Sequence, residues 1–253
     1  MTKQNMRLLI GIDDTDNKES RGTGYNSRQL AAAIEAENLG KIRGITRHQL
    51  FVHPDIPYTS QNSSACLEIS SNNYNEIKDF CRNFMLHIGA IGSDVGLCIV
   101  GKERVSEEII KWGVNAKSIV LKMDDAIEKA HRNEIYLEGL MGTRDGIIGA
   151  LAAVGLRAGG NDGRFIWLNS KKNLRDIEHG IHTVEDLISQ AGIDTIQTIE
   201  KDVVNANEKV YLNNWARPVL RNNNSVLLIE KTINNNNYDW KCATKEFVKR
   251  ISN

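Results

Sequence analysis

Three aspartates lie within four positions near the start of the chain. Asp13, Asp14 and Asp16 follow the apolar stretch MRLLIGI in the order Gly-Ile-Asp-Asp-Thr-Asp. Clustered carboxylates repel one another, and Mg²⁺ relieves that repulsion by binding one or two of them together with substrate phosphates. The pattern therefore predicts an Mg²⁺-dependent site for phosphoryl or nucleotidyl transfer, with these three aspartates as catalytic and metal-binding residues.

A short loop with a cation, a hydroxyl and two glycines follows the aspartates. It consists of Arg21, Gly22, Thr23 and Gly24. Because a helix is predicted directly afterwards, its N-terminal N–H groups could bind an anion, and the loop predicts a cradle for nucleotide phosphates. The alternative is an acidic surface turn followed by an ordinary glycine loop, since the segment matches neither the P-loop nor the G-x-G-x-x-G pattern.

A second segment of the same kind begins at residue 143. Thr143, Arg144, Asp145 and Gly146 lead into a helix rich in glycine and alanine. Its N-terminus predicts further contacts with the nucleotide, and we expect it to face the first glycine loop across one cleft. The alternative is a tightly packed core helix capped by Asp145.

A third polar segment, residues 53–65, is dense in hydrogen-bonding side chains. Asn62 is its candidate for contact with phosphate or ribose oxygens, although the same side chains could instead satisfy an irregular backbone. Further along the chain, Trp215, Arg217 and Pro218 are expected to form a packing corner, with Arg217 as an additional candidate for substrate contact.

Charge and composition exclude several classes of protein. The 253 residues include 32 basic and 32 acidic side chains, so the formal net charge is zero, which argues against a strongly basic nucleic-acid-coating protein. No apolar run reaches the roughly 20 residues that span a bilayer, and no secretory signal is recognisable, so we expect a soluble, cytoplasmic protein without membrane contact. The four cysteines are too widely spaced for a C-x-x-C zinc site and are expected to be buried thiols.

Hydrophobic periodicity predicts strands and helices without a regular β-α-β alternation, which indicates a mixed α/β protein of the α+β class. The predicted boundary separates an N-terminal region, residues 1–135, from a second α/β region, residues 136–253. Strands are predicted at 6–13, 48–53, 65–69, 95–100, 118–123, 165–168 and 226–230. Helices are predicted at 25–36, 74–88, 107–112, 124–132, 145–156, 183–190 and 243–251.

The motifs together resemble a known family. The segments GIDDTD, HPDIPYTSQNSSA and RDGIIGALAAVG occur in the order and at the separations found in the archaeal 2-agmatinylcytidine synthetases, which modify an isoleucine tRNA. The resemblance is strong over about the first 160 residues. It implies an atypical kinase-like domain packed with a ferredoxin-like domain, and the use of ATP and Mg²⁺.

By motif match, the resemblance implies roles for several residues. The three aspartates would carry the metal and triphosphate chemistry, the segment 143–146 would lie near the nucleotide, and Asn62 would face the same cleft. The family also carries an OB-fold and a zinc ribbon for the tRNA, and no paired-cysteine ribbon pattern occurs here. Where the family has a pair of threonines after its glycine, this sequence has Tyr25 and Asn26.

The predicted function is therefore an ATP- and Mg²⁺-dependent transferase or ligase-like enzyme. Two alternatives stay open. One is a tRNA-modifying subunit that needs a separate RNA-binding partner, and the other is a nucleotide-binding module without catalysis.

Overall fold

The computed structural model describes residues 5–58, 61–169, 173–232 and 237–252. Residues 59 and 60 of the predicted polar segment lie outside this description. The chain divides into two compact units, Met1–Gly159 and Gly160–Asn253. The first unit extends beyond the predicted boundary at residue 135 because the helix after residue 145 packs against its sheet.

The described residues of the first unit form five strands and five α-helices. Its strands are β1 (Met6–Asp13), β2 (Lys41–Gln49), β3 (Ser63–Ser71), β4 (Gly96–Gly101) and β5 (Tyr136–Gly139). Its α-helices are α1 (Thr23–Ala36), α2 (Tyr74–Ile88), α3 (Glu107–Asn115), α4 (Met123–Arg132) and α5 (Gly146–Gly159). A 3₁₀ turn covers Lys102–Arg104.

These strands pair antiparallel in the order β5-β4-β1-β3-β2. The run β1-α1-β2-β3-α2-β4 has the strand order of a ferredoxin-like β-α-β-β-α-β unit. Strand β1 is central and apolar, and its carboxyl end lies opposite the start of β4, with Asp13 paired to Gly96. The acidic loop therefore leaves the sheet beside the segment that enters β4.

Helix α5 packs closely on β1 and β4 because both sides of the contact lack side-chain bulk. A Cβ atom on Gly11 would lie 2.1 Å from the carbonyl oxygen of Ala150, and one on Gly96 would lie 2.1 Å from the carbonyl carbon of Gly146. The helix is buried from Gly146 through Ala153 except at Ile148, which is partly exposed. The small-residue helix thus serves packing along its length while its first turn lies at the end of β1.

We expect Gly11→Ala to destabilise the first unit by about 1–3 kcal/mol, the cost typical of overpacking a core. The new methyl group meets backbone atoms of α5, which cannot rotate away. Gly101→Ala is the matched control, because its Cβ would meet only the Arg104 side chain at 3.7 Å. Urea unfolding of the two variants measures the difference, and equal midpoints would contradict the close-packing argument.

The second unit is built on a mixed sheet. Its strands are β6 (Arg164–Leu168), β7 (Gly180–Thr183), β8 (Thr195–Thr198), β9 (Lys209–Leu212), β10 (Val219–Arg221), β11 (Asn224–Lys231) and β12 (Trp240–Cys242). They pair in the order β6-β10-β11-β12-β9-β7, and β8 runs parallel to β11. Helices α6 (Val184–Ala191) and α7 (Lys245–Ile251) complete it, and Phe165, Leu187 and Ile229 lie in its core.

The predicted α+β class is confirmed, and two predicted strands are wrong. Residues 118–122 form a turn and an extended connection between α3 and α4, in which Ile119 and Val120 are 49% and 43% exposed, and Met123 begins α4. The strand predicted at 48–53 instead covers Lys41–Gln49, since the chain leaves the sheet before Pro54. All four cysteines are free and buried, as expected. In the described parts of the chain, no helix combines the length and apolarity needed to cross a membrane.

Candidate functional site

The acidic loop begins where β1 ends and has an unusual backbone conformation. Asp13 is the last residue of β1, and Asp14 has a φ of 49°, in the left-handed region that few non-glycine residues adopt. The hydroxyl of buried Thr15 donates to the Thr23 hydroxyl at 3.2 Å and accepts from the Asn26 amide at 2.9 Å. These contacts fix the loop against α1, so the conformation of Asp14 is held by its surroundings.

Asp16 binds the start of α1. Its Oδ1 accepts hydrogen bonds from the Thr23 backbone N–H at 2.9 Å and from the Thr23 hydroxyl at 3.0 Å. Gly22, the residue that precedes the helix, has no side chain to cap it. Asp16 therefore supplies the capping carboxylate that a helix N-terminus favours.

A cavity of about 330 Å³ opens beside the acidic loop. This volume is in the range of small-molecule binding sites. Of the residues predicted to act on a nucleotide, the cavity is lined by Asp13, Asp14, Asp16, Thr23, Asn62, Asp145 and Gly146. The structure thus brings the acidic loop, the start of α1 and the start of α5 together in one cleft.

The other predicted binding residues lie outside the lining described for this cleft: Arg21, Gly22, Gly24, Thr143 and Arg144. The Arg21 guanidinium lies over the Tyr25 ring, 5.2 Å from its centroid. Arg144 is exposed with a φ of 72°, and a Cβ on Gly139 would lie 2.2 Å from the Arg144 Cβ. Arg144 therefore packs against β5, which the sequence pattern around it did not indicate.

Negative charge is concentrated in the cleft. Burial raises the pKa of Asp13 to about 8, and the charges of Asp14 and Asp16 add to the rise. Burial also raises the pKa of Asp14 to about 6, with contributions from Asp94, Asp16 and Asp145. A site in which carboxylates hold protons near neutral pH favours a cationic ligand or a metal-bound anion.

Asp94 is a site residue that the sequence patterns did not indicate. Its carboxylate accepts a hydrogen bond from the Thr143 backbone N–H, and its carbonyl accepts from the Gly146 N–H at 3.0 Å. Asp94 therefore holds the start of α5 at the end of β1. An aspartate two residues before a strand carries no signal by itself, and only the antiparallel pairing of β1 with β4 brings it to Asp14.

The polar segment contributes both to the cleft and to its own support. The Asn62 side-chain amide donates to the Phe51 carbonyl at 2.6 Å, and the Asn62 carbonyl accepts from the Leu50 N–H at 2.9 Å. Asn62 thus joins the two ends of the loop between β2 and β3 while also lining the cavity. Its position is therefore compatible with both sequence interpretations, contact with a ligand and support of an irregular backbone.

An apolar wall faces part of the same cavity. It is formed by residues 119–123, by the loop after β2, and by single residues at the end of α3 and the start of α5. Its apolar lining residues are Leu50, Ile56, Pro57, Tyr58, Ala116, Ile119, Val120, Leu121, Met123 and Ile148. Lys122 is the only basic residue in the described lining. The cleft therefore combines a polar, acidic part with an apolar one.

The three aspartates differ in their availability to a metal ion. In the described ranges, no group of three or more His, Cys, Asp or Glu side chains is arranged to hold an ion. One oxygen of Asp16 binds the α1 terminus, and the binding of one ion by Asp13, Asp14 and Asp16 stays a prediction. The donor set fits an ion that arrives with substrate phosphates and takes one or two carboxylates from the protein.

Comparison with known proteins gives partial similarities, and no protein-family model matches. The chain is 30% identical over 159 residues to an uncharacterised protein of Methanocaldococcus jannaschii, covering 62% of this chain and 52% of that protein. It is 29% identical over 155 residues to TiaS, the isoleucine-tRNA 2-agmatinylcytidine synthetase of Archaeoglobus fulgidus, covering 59% of this chain and 36% of the synthetase.

Solved structures agree with these similarities. The crystal structure of TiaS in complex with its isoleucine tRNA and ATP matches with a TM-score of 0.53 and 27% identity, over 59% of this chain and 36% of that chain. The complex of TiaS with the tRNA, AMPCPP and agmatine matches 97% of this chain and 55% of that one with a TM-score of 0.52, and at 20% identity this likeness concerns the fold alone.

The predicted resemblance to the synthetase family is confirmed for part of the chain. The chain spans about half or less of the length of the curated relatives it matches.

Proposed function

We propose that the chain binds ATP in the acidic cleft of its first unit and transfers a phosphoryl or nucleotidyl group from it. The observation that carries this proposal is the joining of the partly buried Asp13 and Asp14 with the starts of two helices in one cavity. The similarity to a synthetase solved in complex with ATP supports it.

Each part of the cleft has a role in this proposal. Asp13 and Asp14 would hold Mg²⁺ together with the nucleotide phosphates, and the ion would neutralise their charge and act as a Lewis acid. The N-terminal ends of α1 and α5 would favour the phosphates through their helix dipoles, since the N–H groups of Thr23 and Gly146 already bind Asp16 and Asp94. Asp94 would keep α5 in place, and the apolar wall would exclude water from the base.

We propose RNA as the acceptor class, by similarity to an enzyme that is named for its action on an isoleucine tRNA and was solved with that tRNA. A partner subunit would supply further RNA contacts, because a chain of zero net charge offers little general attraction for a polyanion. ATP turnover with and without RNA separates these roles, and binding without turnover would indicate a nucleotide-binding module.

Calorimetric titration with ATP, with and without Mg²⁺, tests the central proposal. We expect saturable binding of one ATP per chain that requires Mg²⁺, because ATP alone would face the unneutralised aspartates. Absence of binding under both conditions would contradict a nucleotide site.

Val120→Asp tests the apolar wall. We expect the affinity for ATP to fall roughly tenfold or more, because burying a valine side chain typically contributes about 1.5–3 kcal/mol and the new carboxylate repels the nucleotide. The affinity for inorganic triphosphate should change less, since triphosphate has no base. Val114→Asp is the control, because Val114 is 55% exposed and lies outside the cavity lining. An equal loss of ATP affinity in both variants would show that the apolar wall does not contact the nucleotide.

A further inference from the structure

The second unit carries a concentration of arginine side chains around one tryptophan. The guanidinium carbons of Arg217, Arg175 and Arg164 lie 4.2, 5.3 and 5.5 Å from the centroid of the Trp215 ring. All three distances are in the range of cation–π contacts. We call these four residues the arginine–tryptophan cluster.

Arg217 gives the cluster its rigidity. It is only 8% exposed, and its guanidinium donates to the Trp215 carbonyl at 3.1 Å and to the Asn214 side-chain oxygen at 3.2 Å. Its buried Nε–H meets no acceptor among the described residues. Since these contacts fix both the guanidinium and the loop that bears Trp215, Arg217 is a positioning residue.

Arg175 gives the cluster its accessible charge. Its side chain is exposed, it forms no ion pair within the described ranges, and Arg164 beside it is partly exposed. The negative charge of Glu246 raises the pKa of Arg217, whereas the positive charge of Arg175 lowers it. The guanidinium groups of Arg175 and Arg217 share one ring and repel each other, and an anion beside Arg175 would offset that repulsion.

We propose that the arginine–tryptophan cluster binds a phosphate group, with Arg175 as its exposed contact and Arg217 and Trp215 as the support of that contact. Guanidinium groups match phosphate oxygens in a bidentate geometry, and arginine is the usual residue for such recognition. The phosphate belongs either to a nucleic-acid backbone or to a free phosphate compound. The proposal rests on residues of the second unit and is independent of catalysis in the first.

Two measurements on the full chain test this site. The first is anisotropy of a labelled short single-stranded RNA over a series of salt concentrations. We expect Arg175→Gln to weaken binding roughly tenfold, as removal of a charged hydrogen bond does. The slope of log affinity against log salt should fall by about 0.7 for each phosphate that the variant no longer neutralises. Arg250→Gln is the control, because Arg250 is an exposed arginine of the same unit that stacks on Phe247 instead.

The second measurement is tryptophan fluorescence during titration with inorganic phosphate, with Trp215→Phe to assign the signal. A Trp215-dependent change without RNA binding supports a site for free phosphate compounds, and Arg175-dependent RNA binding supports the backbone as the ligand. Equal losses in the Arg175 and Arg250 variants, or no response to either ligand, would overturn the proposal. Because Arg175 is exposed, its variant should unfold at the same temperature as the parent.

Discussion

Asp14→Asn is expected to lower Mg²⁺-dependent ATP turnover by roughly two orders of magnitude or more, because the variant removes a carboxylate that would hold the ion. The same change should leave the fold intact or make it more stable. Asparagine tolerates the left-handed conformation that Asp14 adopts at a φ of 49°. The substitution also removes a carboxyl group that is costly to ionise in the folded state. Burial and the neighbouring carboxylates raise the pKa of Asp14 to about 6.

The sign of the stability effect follows from that raised pKa. The folded state binds the Asp14 proton more tightly than the unfolded chain does, so ionised Asp14 opposes folding as the pH rises through about 6. At neutral pH the Asn variant should therefore unfold at the same or a higher denaturant concentration. A parallel loss of activity and stability would show instead that Asp14 is structural.

Asp124→Asn is the matched control for this experiment. Asp124 is an exposed aspartate in the first turn of α4 and lies outside the cavity lining. Asp124→Asn removes one negative charge from the first unit, as Asp14→Asn does, so the ATP turnover of this control should equal that of the parent. A loss shared by both variants would point to net charge rather than to the cleft.

Glu68→Gln is expected to destabilise the first unit by about 3–5 kcal/mol, the usual cost of removing one charged partner of a buried ion pair. Glu68 is fully buried on β3. Its carboxylate accepts from Arg157 at 2.6 Å and from Lys102 at 3.3 Å, and Arg7 also donates to it. Removing the negative charge leaves three cations beside the core without their common partner.

The pH dependence of stability should show the same interaction. Burial opposes ionisation of Glu68, but the charges of Arg157, Lys102 and Arg7 outweigh it and hold its pKa below the usual 4.5. A carboxyl group with a lowered folded pKa stabilises the protein above its unfolded value, and this contribution is lost as the pH falls through the folded value. The parent should therefore lose stability more steeply than the Gln variant below about pH 4.5.

Glu134→Gln provides the comparison for a surface ion pair. Glu134 pairs with Arg104 at 2.7 Å, but both side chains are well exposed. Such pairs typically contribute about 0–1 kcal/mol. Urea unfolding of both variants between acidic and neutral pH measures the contrast, and a loss of less than about 1 kcal/mol for Glu68→Gln would contradict the role assigned to the buried cluster.

Local sequence patterns were sufficient for several parts of the candidate site. The apolar run before Asp13 predicted the strand Met6–Asp13 with its observed bounds, and the spacing of Ile77 and its neighbours did the same for Tyr74–Ile88. The glycine and alanine content of residues 146–155 predicted a helix that approaches other backbone closely. These features depend on the periodicity and size of neighbouring side chains, which the sequence displays directly.

Contacts between distant segments were not predictable in the same way. Asp94 reaches the site because Asp13 pairs with Gly96, a register that depends on the whole order of strands. Arg144 turns towards Gly139 because its backbone adopts a positive φ. The unit boundary falls after Gly159 because α5 packs on the sheet that begins with β1.

The sequence by itself determined the chemistry available at the site: a strand that ends in clustered carboxylates, two loops that precede helices, and a family resemblance carried by these motifs. Tertiary structure alone decided which side chains meet in the cleft. Ile119, Val120 and Leu121 illustrate the difference, because three consecutive apolar residues, two of them β-branched, suit a strand, yet they line the cavity. Side-chain composition acts over a few residues, whereas membership of a sheet depends on hydrogen-bonding partners supplied by distant parts of the chain.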